Sequence, residues 1–380
     1  MSRDVSQSFA LFQELESRSL FAGVGIDSSF GGGDGLATTT FGGQREEATA
    51  VTVTSKGRVL AGGSSWNGSS TDIVFASFRN DGSLESTFDG DGKLVFTGDQ
   101  AKKIGRVQEI YAQSDGGAIV RGSGAIFRLT ADGKLDTSFA GGQTFIVGQF
   151  GSTGRINGAG KLEVAETTAN QFRIRRFELN GTQVSATKWV YGYPRYLSDT
   201  RIASERIDQS WFTLYDQNLN TIGSFGNAGV VAAKTSIANW IKARQWTNSN
   251  NQPVATPFWQ IEDISPTRTG GWVIDVAINA KTANQFWSEP GGYLLTRLQL
   301  QINGSGQITS HKVWTPQSND LRSEPDARLR SNWGLGVDVL TGLGESPWFF
   351  AELANTTTGG AFRASDNSYY VAGSYKNAST

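Results

Sequence analysis

The chain of 380 residues has no cysteine, one methionine and one histidine, His311. The first absence excludes disulfides, thiolate nucleophiles and cysteine-ligated metals. A lone histidine argues against a protein zinc site. It would also have to serve any Ser-His-Asp triad, and no Gly-x-Ser-x-Gly elbow accompanies it. Charge of one sign is missing too: 34 Lys and Arg face 35 Asp and Glu, a net charge of -1. No basic excess exists to neutralise phosphates, so no nucleic-acid partner is expected. No apolar run reaches the roughly 18 residues of a membrane-spanning helix. No Gly-x-x-x-x-Gly-Lys-Ser/Thr loop is present, and Gly334-Leu-Gly336 lacks a third glycine. Nucleotide cofactors therefore have no support. No cofactor, no metal and no catalytic residue are assigned.

Glycine, by contrast, occurs 47 times, and aromatics make up 11% of the chain against only 18% charged residues. That balance suits an all-β protein with many turns. The pattern centres on residues 75–96, where Phe75-Ala-Ser-Phe-Arg-Asn-Asp81-Gly-Ser-Leu-Glu-Ser-Thr-Phe88 leads into Asp89-Gly-Asp91-Gly-Lys-Leu-Val-Phe96. Residues 126–139 repeat it as Ile126-Phe-Arg-Leu-Thr-Ala-Asp132-Gly-Lys-Leu-Asp-Thr-Ser-Phe139. Asn180-Gly181 continues the series, and Gly223-Ser-Phe225-Gly226 is a weaker copy. A second piece, a polar glycine turn before a short apolar strand, has centres near Gly57, Gly116, Gly160, Gln209, Gly271 and Asn367. Asp-Gly and Asn-Gly supply the positive φ of tight hairpins. Asp89 and Asp91 read as turn residues, since the further oxygen ligands of a calcium loop are missing. Units of about 50 residues with four strands and no helices between them predict a β-propeller of about six blades, alternatively seven. One blade cannot bury its own faces, so blades stack. Phe30, Phe88, Phe139 and Phe225 are then expected to be buried at equivalent places.

These residues resemble the delta-60 repeat of large bacterial surface and secreted proteins. The match is good over 75–93 and 126–139 and partial over 27–35, and it implies fold alone, with no shared catalytic residues. Near the N-terminus, Leu15, Glu16, Arg18, Leu20 and Phe21 are similar to the Leu-Glu-x-Arg-x-Leu-Leu motif of planctomycete surface proteins, with Ser17 where proline is usual. This resemblance implies an extracellular or cell-envelope location.

The expected organisation is a tail over 1–25, helix-compatible over 6–18, followed by one propeller domain over 26–380. Residues 36–41 match a fourth strand and are expected to pair with the C-terminal strands, closing the ring. Residues 235–244 are the one plausible internal helix. Ten of the 11 tryptophans follow residue 180. Two aromatic stretches, 232–260 and 279–292, read as insertions, and Trp240, Trp246, Trp259, Phe286 and Trp287 are the candidate ligand-binding residues, against the plainer reading that they cap a core. The function expected is a non-catalytic module binding a glycan or protein partner through loops of its later blades. The alternatives are a carbohydrate-active hydrolase with carboxylates in a central channel, or a structural piece of a surface layer or appendage. Glu163, Glu166, Glu262, Asp263, Asp275 and Asp338 fit the hydrolase by residue type only.

Overall fold

A computed structural model describes residues 29–206 save 34, 211–243, 258–267, 270–280 and 293–314, with strand pieces at 8–9, 15–16, 25–26, 356–363 and 369–375. The chain opens on two-residue strands β1 (Ser8–Phe9), β2 (Leu15–Glu16) and β3 (Gly25–Ile26). Strand pieces thus stand inside 6–18, where the spacing of Phe9, Phe12 and Leu15 suggested a helix. β1 pairs with the last strand and β2 with β3, so pairing overrides a weak helical periodicity there.

Five antiparallel sheets follow in chain order. The first holds β4 (Arg45–Val53), β5 (Val59–Trp66), β6 (Thr71–Phe78) and β7 (Lys93–Phe96). Helix α1 (Gly98–Ile104) leads to the second, β8 (Val107–Ala112), β9 (Ala118–Gly122), β10 (Ala125–Leu129) and β11 (Phe145–Val147). The third has β12 (Phe150–Ile156), β13 (Leu162–Thr167), β14 (Gln171–Phe177), β15 (Gln183–Ala186) and β16 (Val190–Tyr191), the last two both on β14. The fourth is β17 (Tyr193–Leu197), β18 (Ile202–Arg206), β19 (Trp211–Tyr215) and β20 (Val230–Ala232). Helix α2 (Ala233–Lys242) precedes the fifth, β21 (Phe258–Pro266), β22 (Trp272–Ala280), β23 (Tyr293–Ile302) and β24 (Ile308–Trp314). A hairpin of β25 (Thr356–Arg363) and β26 (Tyr369–Tyr375) completes the described elements.

The internal helix expected at 235–244 is α2. α1 was not expected, although Asp99 in its first turn, Lys102 and Lys103 in its last, and Gly105 at its end are ordinary helix signals. At seven residues it is too short to show periodicity. The turn expected near Gln209 belongs instead to 198–201, where Ser198 N–H meets Arg201 C=O at 2.9 Å. That turn has no glycine, which is why the count slipped. No helix among the described residues is long and apolar enough to cross a membrane.

Among the described residues, the first four sheets bury both faces and the fifth buries one against the fourth. Phe75, Val120 and Phe127 share a core between the first and second sheets, and Phe150, Ile126 and Leu162 one between the second and third. Phe172, Ile202 and Tyr215 join the third to the fourth, and Phe212, Trp272 and Ile274 the fourth to the fifth. On the other face of the first sheet, Phe30 and Ala37 complete a core with Val74 and Phe78, and Phe41 packs against it. First strands lie next to first strands along the series β4, β8, β12, β17 and β21, and the β25–β26 hairpin lies against β4. Ser8 and Phe9 pair with Tyr375 and Ser374, so the terminal pairing observed uses these residues, while 36–41, expected in that role, rests on the first sheet.

The four anchors occupy equivalent places: Phe30, Phe88, Phe139 and Phe225 are 0, 3, 2 and 1% exposed. Burying one such ring is worth about 1.5–3 kcal/mol. The residue after each anchor then donates its backbone N–H to a turn carbonyl of the following sheet. Gly31 reaches Asp81 at 2.9 Å, Asp89 reaches Asp132 at 2.8 Å, Ala140 reaches Asn180 at 2.8 Å and Gly226 reaches Ser305 at 2.7 Å. The next turn residue is always glycine at positive φ, Gly82, Gly133, Gly181 or Gly306. A Cβ there would stand 2.6 Å from Gly31 N, 2.9 Å from Asp89 N, 2.8 Å from Ala140 N and 2.2 Å from Gly226 N. Glycine is thus required twice, by its backbone angle and by the neighbour's approach.

The third sheet has no such phenylalanine, and the fourth has no such glycine. Leu219 holds the turn position at φ 61° and puts its buried side chain into the core shared with Phe172 and Ile202. A large side chain on the receiving turn fills the space that an anchor fills elsewhere.

Gly160 has φ 72° with open space around its missing Cβ. Gly160→Ala is therefore expected to cost only the left-handed penalty of about 1–2 kcal/mol. Gly82→Ala and Gly133→Ala add displacement of the neighbouring chain and are expected to cost about 2 kcal/mol more. Urea unfolding of the three variants checks this, and equal losses would contradict the double requirement.

Candidate functional site

The first strands carry polar groups where the sheets meet most closely. Each has a bulge at the same level: extra residues fall between Ala48 and Ala50, Val107 and Glu109, Phe150 and Gly154, Pro194 and Tyr196, Ile261 and Asp263, and Thr358 and Gly360. A bulge re-aims one side chain out of the ladder. Here it is aimed at the next sheet. Thr49 Oγ1 donates to Val107 C=O at 2.7 Å, Gln108 Nε2 to Phe150 C=O at 3.4 Å, and Thr153 Oγ1 to Pro194 C=O at 3.0 Å. Sequence reasoning missed this series because Thr, Gln and Thr share a function but no residue type.

Gln108 also accepts from Arg121, which is fully buried. Arg121 donates to Gly151 C=O in the third sheet's bulge and, through Nε, to Glu109 Oε2 at 2.9 Å. Tyr111 donates its hydroxyl to the same carboxylate. Burial and then the Glu109 charge push the Tyr111 phenol well above its ordinary range, so it stays a donor.

Of the six carboxylates named from sequence, Glu163 is buried between Arg155 and Arg176, at 2.9 and 2.7 Å. Glu166 is held by Arg173 and Arg175, at 2.6 and 3.1 Å. Both lie on the second strand of their sheet and are committed to guanidinium groups. Register sets Asp263 directly opposite Asp275 on β21 and β22, with Glu262 at the bulge. Asp338 lies outside the described residues.

The two ends of the sheets differ in chemistry. One end holds the hairpins joining first to second strands and the anchor crossings. It is an end of aspartates folded into their own turns. Asp136 takes the Ser138 hydroxyl at 2.6 Å and Arg128 at 2.5 Å, and these hold its carboxyl below the ordinary 3.8. The Ser83 hydroxyl lowers Asp81 first, the Thr130 hydroxyl Asp132, and the Asn220 N–H Asp216. Asp89 pairs with Lys134, and Asp91 accepts Lys93 N–H at 2.9 Å, so both are turn residues.

The other end holds the starts of first strands, the hairpins joining second to third strands, and the connections between sheets. It is aromatic. Seven tryptophans have a described backbone position, and six of them stand here: Trp66 ends β5, Trp189 precedes β16, Trp211 begins β19, Trp240 lies in α2, Trp259 is second in β21 and Trp314 ends β24. Trp272, at the opposite end, is a buried core residue. Trp259, expected on an insertion, is a strand residue paired with Ile278. Trp240 sits in the connection into the fifth sheet. Trp246, Phe286 and Trp287 lie outside the described residues. Not foreseen were Trp66, Trp189 and Tyr191, all exposed at this same end.

Residues 55–88 and 113–139 match a family described as "Domain of unknown function (DUF5122) beta-propeller". The matched segments span the first-to-second hairpin and anchor crossing of the first two sheets. No curated protein sequence matches the chain. Among solved structures, a protein of unknown function from Bacteroides caccae is 14% identical, covering 81% of this chain and 94% of its own, with a TM-score of 0.33. A Lactobacillus plantarum protein is 10% identical over 81% and 97%, with a TM-score of 0.39. The WD40 domain of Toxoplasma gondii coronin is 9% identical over 82% and 66%, with a TM-score of 0.35. Likeness of this degree bears on neither ligand nor reaction.

Removing one partner of a buried ion pair strands the other charge. Arg121→Met is therefore expected to cost about 3–5 kcal/mol in thermal or urea unfolding. Adding Glu109→Gln is expected to recover part of that loss. Additive losses would show that the two groups are not coupled.

Acid tests the turn end. A carboxyl whose folded pKa lies below 3.8 contributes stability that is complete above that value and lost as pH falls through the folded pKa. Asp136→Asn is expected to lower the melting temperature at pH 7, and the deficit is expected to shrink as pH falls below 3.8. A deficit that stays undiminished as melting scans move below that pH would refute the assignment.

Proposed function

We propose that this chain is a non-catalytic β-propeller of six blades that binds a glycan or protein partner on its aromatic end. The observation carrying this reading is the gathering of six of the seven placed tryptophans there. Exposed indoles stack on sugar rings and anchor protein partners, and they carry no cost of turn geometry at that end. The sixth blade is formed by β25, β26 and the N-terminal segment. Supporting this, Phe30 and Gly31 join the first sheet as Phe88 and Asp89 join the second, so they act as the crossing of a preceding blade. Ring closure by the two termini also hides edge strands. Export to the cell envelope is part of the proposal, supported by the resemblance at Leu15, Glu16, Arg18, Leu20 and Phe21.

The test is a glycan array with purified protein, followed by titration of hits through tryptophan fluorescence. Trp66→Ala, Trp189→Ala, Trp240→Ala and Trp259→Ala are compared with Lys161→Ala at the turn end. A hit weakened at least tenfold by one or more of the tryptophan changes and untouched by Lys161→Ala is the expected outcome. Hits that survive all four tryptophan changes would refute an aromatic binding end. Cleavage of an array glycan, abolished by Asp275→Asn, would replace binding with the hydrolase alternative.

A further inference from the structure

We infer that Trp189, Tyr191 and Arg173, on the third sheet, form a subsite for an acidic saccharide, a pyranose ring carrying a carboxylate. The inference rests on the binding role just proposed and names the ligand class of that end.

Register builds the site. Val190 pairs with Phe172 and Tyr191 with Gln171, so Trp189, Tyr191, Gln171 and Arg173 share one face of the sheet. The opposite face is core: Phe172 and Ile174 are buried there, with Val190 packed against them. The Arg173 guanidinium lies over the Trp189 ring, 4.7 Å from its centre. Trp189 is nonetheless 37% exposed and Tyr191 55%. Two rings of this size left open to water beside a fully covered Phe172 leave apolar area for a ligand to cover.

The backbone carrying the rings is fixed before any ligand arrives. Thr187 Oγ1 accepts Ile174 N–H at 2.9 Å, Thr187 N–H reaches Ile174 C=O at 2.9 Å, and Gly192 N–H reaches Asn170 C=O at 2.9 Å. A prepared platform spares the ordering cost that a loop would incur on binding.

The polar groups give the ligand its charge. Arg173 directs Nε and Nη2 to Glu166 Oε2, both at 2.6 Å, and Arg175 directs Nη1 to Glu166 Oε1 at 3.1 Å. Two guanidinium groups share one carboxylate, so the cluster keeps one positive charge. Nη1 of Arg173 has no acceptor among the described residues. A carboxylate on the ligand can take that donor, while the sugar's C–H face lies on the indole. Stacking alone would suit a neutral sugar; the surplus charge selects an acidic one.

Isothermal titration and tryptophan quenching with oligogalacturonate, beside an uncharged cello-oligosaccharide of equal length, test the site. Oligogalacturonate is expected to bind, and Trp189→Ala and Arg173→Gln are each expected to weaken it at least tenfold, while Lys161→Ala at the turn end leaves it unchanged. Unaltered melting temperatures separate this loss from unfolding. If either variant fails to fold, Trp189→Phe and Arg173→Lys replace them, with smaller losses expected. Binding untouched by changes at 189 and 173 overturns the subsite. Loss confined to Trp259→Ala also overturns it, yet leaves the binding role of the aromatic end intact. Equal affinity for the uncharged oligosaccharide overturns the acidic ligand class. A wild-type protein that binds oligogalacturonate not at all, but binds other glycans on the array, overturns the subsite alone. No glycan binding of any kind overturns this inference together with the glycan arm of the proposed function.

Discussion

The backbone N–H that follows each buried phenylalanine, given to a turn carbonyl of the next sheet, is the constraint on which the remaining arrangement depends. A four-stranded sheet with two apolar faces has no stable existence alone, and it needs a neighbour in a fixed register. One directional bond beside a large buried ring supplies that register. The bond runs from Gly31 to Asp81, Asp89 to Asp132, Ala140 to Asn180 and Gly226 to Ser305. The bulge donors Thr49, Gln108 and Thr153 tie the first strands together away from that end. Attachment at two separated levels fixes both distance and rotation between sheets, which one level would leave free. Where the anchor is missing, Leu219 fills the gap in a backbone conformation that leucine adopts at a cost.

This division of labour explains why the two ends look unlike. The turn end is fully specified by fit. Gly82, Gly133, Gly181 and Gly306 cannot gain a Cβ without displacing the neighbouring chain, the aspartates are held by their own turns, and a change at those glycines alters the spacing of two sheets. The opposite end carries no such register bond, so hairpins and connections there can differ from sheet to sheet. α1, α2 and the segment bearing Trp189 all stand in these connections, and no two are alike. Freedom of sequence and exposed aromatic area fall together, and function tends to collect where the scaffold makes least demand.

Much of the scaffold was legible because its demands fall on single residue types. Only glycine suits Gly82, Gly133 and Gly181, so the turns announce themselves, and after the first two the anchors Phe88 and Phe139 follow at the same distance. The bulge series was not legible, since any side chain with a donor of suitable reach can serve, and Thr49, Gln108 and Thr153 look like unrelated strand residues. Arg121 was hidden in Ala118-Ile-Val-Arg-Gly122, where all five residues are buried and the charge gives no outward sign. The turn at 198–201 escaped for want of a glycine. At the candidate site, the emphasis on late tryptophans named Trp240 and Trp259, whose backbone positions fall at the aromatic end, but passed over Trp66 and Tyr191. Those two take their meaning from which end of a strand they occupy, and that is a property of topology.

The same accounting bears on catalysis. A carboxylate that acts as acid, base or nucleophile must meet the substrate and hold its proton near working pH. Four carboxylates on the first and second strands are held by neighbouring side chains. Glu109 is bound by Arg121 and Tyr111, Glu163 by Arg155 and Arg176, Glu166 by Arg173 and Arg175, and Glu205 by Arg195. Groups so held serve cohesion between strands and sheets. At the aromatic end the rings of Trp66, Trp189 and Tyr191 stay exposed, the surface on which the proposed ligand would rest.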